Sequence, residues 1–150
     1  MKQSDAKAND FQPIQCVCTN IKMASRVVGR AYDSATESSG VNVIQYSILV
    51  NISRYEPIEQ MRLAEHLDME RTTLYRALDL LAKRKLIRTK AADHGVTKLV
   101  ELTPKGKEVV SEAQKKWKSL HNGFIDKFGT DQLELLNQLL KNAREHFRDL

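Results

Sequence analysis

Leu74, Ala77, Leu78 and Leu81 recur at the period of an amphipathic helix, behind a polar start at Met69-Glu70-Arg71-Thr72-Thr73. Just upstream, Met61 to Leu67 carries a shorter stripe of Leu63, Ala64 and Leu67, and only Asp68 to Glu70 separate the two. Two short helices joined by a tight turn, with a small alanine where they cross, predict a helix-turn-helix. The period then shortens. Leu86 to Lys90 and Leu99 to Thr103 are alternating or β-branched runs around a loop that contains Asp93 and Gly95, which predicts a hairpin. Helix-turn-helix followed by hairpin is a winged helix.

Longer seams flank this unit. Val17, Ile21, Ala24, Val28, Ala31 and Ala35 alternate spacings of four and three, as do Leu133, Leu136, Leu140, Ala143, Phe147 and Leu150. A third helix is lined by Val109 or Val110, Ala113, Trp117, Leu120, Phe124 and Phe128. Pro104 suits its first turn, Gly129 ends it, and Thr130-Asp131 restarts the chain. The fold class is therefore mainly α with a small β hairpin, a winged helix-turn-helix flanked by long N- and C-terminal helices. Seams of this kind need partners, and a winged helix offers too little surface to cover three of them. The expectation is a homodimer with interleaved terminal helices.

Charge singles out the middle of the chain. Arg71 to Lys98 holds eight Lys/Arg and two acids, a net of +6 where the whole protein has +5, so all the rest nets −1. A focused positive footprint is what phosphate binding requires, because neutralised phosphates release counterions. With Leu74 on the buried side, Thr72, Arg76, Asp79 and Lys83 take the opposite face, flanked by Thr73 and Tyr75. Hydroxyls and an arginine at the front of a helix can reach base edges in a major groove. The candidate DNA-binding residues are Arg71, Thr72, Thr73, Tyr75, Arg76, Lys83, Arg88, Lys90, His94, Thr97 and Lys98. A basic run alone is often only a solvated face; the adjoining turn and hairpin argue against that here.

Other classes fall away on content. The 150 residues include no apolar run near the length of a membrane span, and Met1 to Asp10 lack the apolar stretch of a signal peptide. A cytoplasmic protein without a membrane partner is expected. There is no Gly-rich phosphate loop or nucleophile elbow, and the four histidines are dispersed, so the sequence predicts neither enzyme, metal site nor cofactor. The layout is one domain: a tail at 1–12, a helical dimerisation region at 13–40 and 104–150, and a winged-helix DNA-binding region at 41–103. An architectural, non-specific DNA-binding protein is the rival. Such a protein would spread its basic residues and place apolar wedges in the wing, whereas this wing tip is polar.

Leu63-Ala64-Glu65-His66-Leu67-Asp68-Met69-Glu70-Arg71-Thr72-Thr73-Leu74-Tyr75-Arg76, Lys85-Leu86-Ile87 and Leu102-Thr103-Pro104-Lys105-Gly106 together resemble the MarR family of bacterial transcription regulators. The resemblance spans nearly the whole chain. It implies a dimeric regulator, here expected to repress, that binds double-stranded DNA at an inverted repeat. It also implies a cleft for a small-molecule effector, for which Tyr32, Tyr46 and Trp117 are candidate walls. One departure stands out. Where the family's wing carries an Asp-x-Arg, this sequence has His94, Gly95 and Val96. Lys98, Lys90 or a charged His94 is left to make wing contacts, on phosphates rather than bases.

The two cysteines, Cys16 and Cys18, exclude a disulfide framework and are too few for structural zinc. A narrower resemblance, to the family's organic-hydroperoxide-sensing branch, rests on Cys18, Arg26 and Tyr32 at the branch's spacing. Lys22 replaces that branch's second tyrosine. Thiol oxidation is one expectation for Cys18 with Cys16; simple packing at the dimer junction is the other. On a continuous helix residues two apart point away from each other, so a bond between them would need that turn to unwind.

Overall fold

The apolar stripes of the two short helices meet in one core. The computed structural model describes residues 16–92 and 97–148. Its elements are α1 (Val17–Thr36), α2 (Val43–Tyr55), β1 (Ile58–Glu59), α3 (Gln60–His66), α4 (Arg71–Lys83), β2 (Ile87–Ala91), β3 (Lys98–Leu102), α5 (Pro104–Phe128) and α6 (Thr130–Arg148), with a 3-10 turn at Glu37–Ser39. The chain divides into two compact units, 1–31 and 32–150. The larger holds the core: Tyr46, Ile48, Leu49 and Ile52 of α2, Leu63 and Ala64 of α3, Leu74, Leu78 and Leu81 of α4, with Leu86, Ile87, Val100, Leu102 and Ala113. Of the expected stripes, Leu63, Ala64, Leu74, Leu78 and Leu81 are buried, Ala64 at the crossing included, while Leu67 and Ala77 pack half-buried against the core.

The hairpin is antiparallel, with Ile87 opposite Leu102 and Ala91 opposite Lys98, each strand within one residue of its expected span. A third strand was not expected. β1 adds to the outer edge of β3, pairing Ile58 with Val100 and Glu59 with Leu99. Two residues are too short a run to carry a period, so no pattern in the sequence signals this strand.

Local chemistry sets the element ends. Asn42 caps α2 by accepting from the Gln45 N–H (2.8 Å), and the Gln45 side chain accepts from the Asn42 N–H (3.3 Å), a reciprocal capping box. Both helix-turn-helix helices end in the same closure. After α3, the Asp68 N–H donates to Glu65 and that of Met69 to Ala64; after α4, Lys85 donates to Ala82 and Leu86 to Leu81. Asp68 (φ 50°) and Lys85 (φ 60°) therefore hold the left-handed position that glycine usually takes. At the start of α5, Thr103 accepts from the Gly106 N–H (3.0 Å) and donates to the Lys85 carbonyl (2.7 Å), with Pro104 in the first turn.

Candidate nucleic-acid interface

Burying Leu74, Leu78 and Leu81 obliges α4 to turn its other face outward. Arg71, Thr72, Thr73, Tyr75, Arg76, Asp79 and Lys83 are all exposed. Glu70 supplies no side-chain cap, so side chains and open N–H groups at the front of α4 remain available to an anion. Among the described residues Arg71, Arg76, Lys83 and Lys98 make no ion pair. The wing brings Thr97 and Lys98 beside Tyr75 and Asp79, across a groove of about 560 Å³ completed by Gln60 and Met61. His94 lies outside the described residues, as do Asp93, Gly95 and Val96.

Three of the eight cations behave differently from the rest. Arg84 points back to the start of α2, donating to the Gly40 carbonyl (2.6 Å) and to Gln45 Oε1 (3.3 Å). Arg88 and Lys90 stand two apart on β2 and converge on Glu101, the residue paired with Arg88 across the ladder. Arg88 Nε bonds its carboxylate and Lys90 Nζ lies 2.7 Å from it. Lys90, then Arg88, hold the Glu101 carboxyl below its ordinary range. Sequence reasoning missed this acid. Its signal was available: an acidic residue in the strand opposite two basic ones faces them when the register is right.

The aromatic candidates separate. Tyr46 is 6% exposed and set in the core, a packing position that leaves it little surface for a ligand. Tyr32 and Trp117 do come together, with ring centroids 6.1 Å apart. Their link is His121, which the sequence reading passed over: its Nδ1 lies 3.1 Å from the Tyr32 hydroxyl, and its ring stacks on Trp117 at 4.4 Å. Partial burial raises the Tyr32 pKa. His121 follows Trp117 by one helical turn, which was the available signal.

At the front of α1, Cys16 precedes the helix and accepts its first bond, from the Asn20 N–H at 3.0 Å, while Cys18 is exposed one half-turn inside. The Cys16 thiol has a lowered pKa. Hydrogen bonds from the Thr19 side chain and N–H lower it, with the Lys22 charge adding to them. No group of three or more His, Cys, Asp or Glu among the described residues could hold a metal ion, and no described helix is long and apolar enough to cross a membrane.

A core-backed helix-turn-helix, an exposed cationic face on its second helix and a basic hairpin beside it define a winged-helix DNA-binding protein. The sequence profile of the MarR family matches residues 39–95. The crystal structure of the Mycobacterium tuberculosis transcriptional regulator MosR in complex with DNA is similar with a TM-score of 0.80 and 30% identity, covering 89% of this chain and 99% of that one. The PcaV transcriptional regulator of Streptomyces coelicolor, solved with its natural ligand, shares the fold at a TM-score of 0.83 and 14% identity, over 92% and 98% of the two chains. The uncharacterized HTH-type transcriptional regulator YhbI of Bacillus subtilis (strain 168) is 28% identical over 104 residues, 69% of this chain and 68% of that protein. The chain belongs to the MarR family of DNA-binding transcription regulators.

Proposed function

We propose that this protein is a cytoplasmic, sequence-specific repressor that binds an inverted-repeat operator as a homodimer. The observation that carries the reading is the exposed front of α4, where Arg71, Thr72, Thr73, Tyr75 and Arg76 stand clear of the core and the two arginines are unpaired among the described residues. The DNA complex of MosR, at 30% identity, supports it. Dimerisation is supported by apolar residues left uncovered: Val17, Ile21 and Val28 of α1 are 45%, 40% and 52% exposed, and Leu136, Leu140 and Phe147 of α6 are 38%, 38% and 56% exposed. A second copy covering them would set two recognition helices about one DNA turn apart.

Release follows from a change in that spacing, driven by a small ligand or by thiol oxidation. A few kcal/mol of differential affinity, roughly 3–5, suffices to empty an operator. The ligand-bound PcaV structure supports the first route, with Tyr32 and Trp117 as candidate walls. The lowered Cys16 thiol and the exposed Cys18 support the second. The test is a footprint on the protein's own upstream DNA against random competitor, with and without peroxide. A protected inverted repeat is expected. Uniform coverage with no preferred site would instead support the non-specific architectural reading.

A further inference from the structure

Asp68 stands where a helix-turn-helix chain can most cheaply use glycine. Its left-handed backbone (φ 50°) strains any side chain, and among side chains Asn or Asp fits best. The neutral amide would serve the turn as well, so the charge has a separate reason. That reason lies on α6. Arg144 and Arg148, one helical turn apart, both reach the carboxylate: Arg144 Nη1 is 3.3 Å from Oδ2, and Arg148 Nη2 bonds Oδ1. They close a polar groove of about 270 Å³ between α3 and α6, which also includes Glu65, His66, Lys141 and Glu145. One exposed ion pair does little. Two guanidinium groups on separate oxygens of one carboxylate fix its direction as well as its distance.

What the contact joins gives it consequence. Asp68 precedes the first residue of α4 by three positions. The helix that carries the two arginines also bears exposed Leu136, Leu140 and Phe147, the seam assigned above to a second copy. We infer that Asp68 is a positioning residue for operator recognition: through Arg144 and Arg148 it ties the start of the recognition helix to the dimerisation helix, and so holds the spacing of the two half-sites. This inference rests on the dimeric DNA-binding reading.

The test uses the full-length protein on its footprinted site, and on versions with the spacer longer or shorter by one base pair. Asp68→Gly removes the charge and relieves the backbone; Asp68→Asn removes the charge alone; Arg144→Gln with Arg148→Gln removes the other side. Each is expected to lose preference for the native spacing by about threefold to tenfold, the change that two exposed ion pairs supply, with affinity for a single half-site unchanged. Combining Asp68→Asn with the arginine pair should add nothing further. Asp68→Gly should lose the preference while its Tm holds or rises, which a merely structural role forbids. Wild-type spacing preference in Asp68→Gly, or losses that sum in the combined variant, would overturn the inference. If the wild-type protein fails to separate its upstream site from random DNA, the sequence-specific operator reading fails instead. Hydrogen exchange over 68–75 then decides the tie on its own, and exchange unchanged by Asp68→Asn overturns it.

Discussion

Glu101 governs how much of the wing's charge is free to meet a phosphate. Because its carboxylate holds both Arg88 and Lys90, Glu101→Gln should strengthen binding to every DNA sequence and steepen the log–log salt dependence by up to about two units. Lys98→Ala should flatten it by about one unit, and Lys90→Ala by less, since its charge is already shared. Titrations at several salt concentrations separate the three. The pairing also has a pH signature. With the Glu101 pKa lowered, the pair contributes fully above the ordinary carboxylate range and is lost only as pH falls through the lowered value, so salt slopes should steepen there. Arg76, exposed on α4 and without an ion pair among the described residues, is expected to read a base. Arg76→Ala should cost about 1–3 kcal/mol on the operator and relax one position; an equal loss on random DNA would exclude base reading. At the thiols, the lowered Cys16 should be alkylated with a pH midpoint below that of a free cysteine, and mass spectrometry of each site checks this.

Among the elements, the joint between wing and α5 has the least room. A Cβ on Gly106 would stand 2.0 Å from the Leu86 carbonyl oxygen, so Gly106→Ala should destabilise the fold by about 1–3 kcal/mol, seen as a lower urea midpoint. Removing the Asn42 cap by Asn42→Ala should cost about 1 kcal/mol in the same assay. These joints explain why parts of the sequence were readable. α3, α4 and the hairpin announce themselves because Leu63, Leu74, Leu78, Leu81 and Val100 repeat at the period of their own backbone, and burial of one face enforces that period. Thr103-Pro104 marks the start of α5 for a similarly local reason. β1 has no local signature, since Ile58 and Glu59 become a strand only by meeting β3. Glu101 and His121 were passed over because each matters through a partner across a ladder or on a neighbouring turn, and Asp68 because its arginines lie more than seventy residues away.

At the scale of the whole molecule, the uncovered seams are the feature to challenge. Leu136→Glu together with Leu140→Glu should give a folded monomer with much weakened operator binding, and sedimentation is the measurement. A dimer unchanged by the pair would place the contact elsewhere. The heptad-like spacing made these residues legible as a seam, but not what covers them, because spacing encodes a stripe and not its partner. α5 adds a mechanical constraint. It runs for 25 residues, about 37 Å at the helical rise, away from a joint that Gly106 leaves without slack. Moving its far end sideways by about 2 Å tilts it by only about 3° over that length. A rod of that length works as a lever: a small sideways displacement at its far end becomes a much smaller one close to the Gly106 joint.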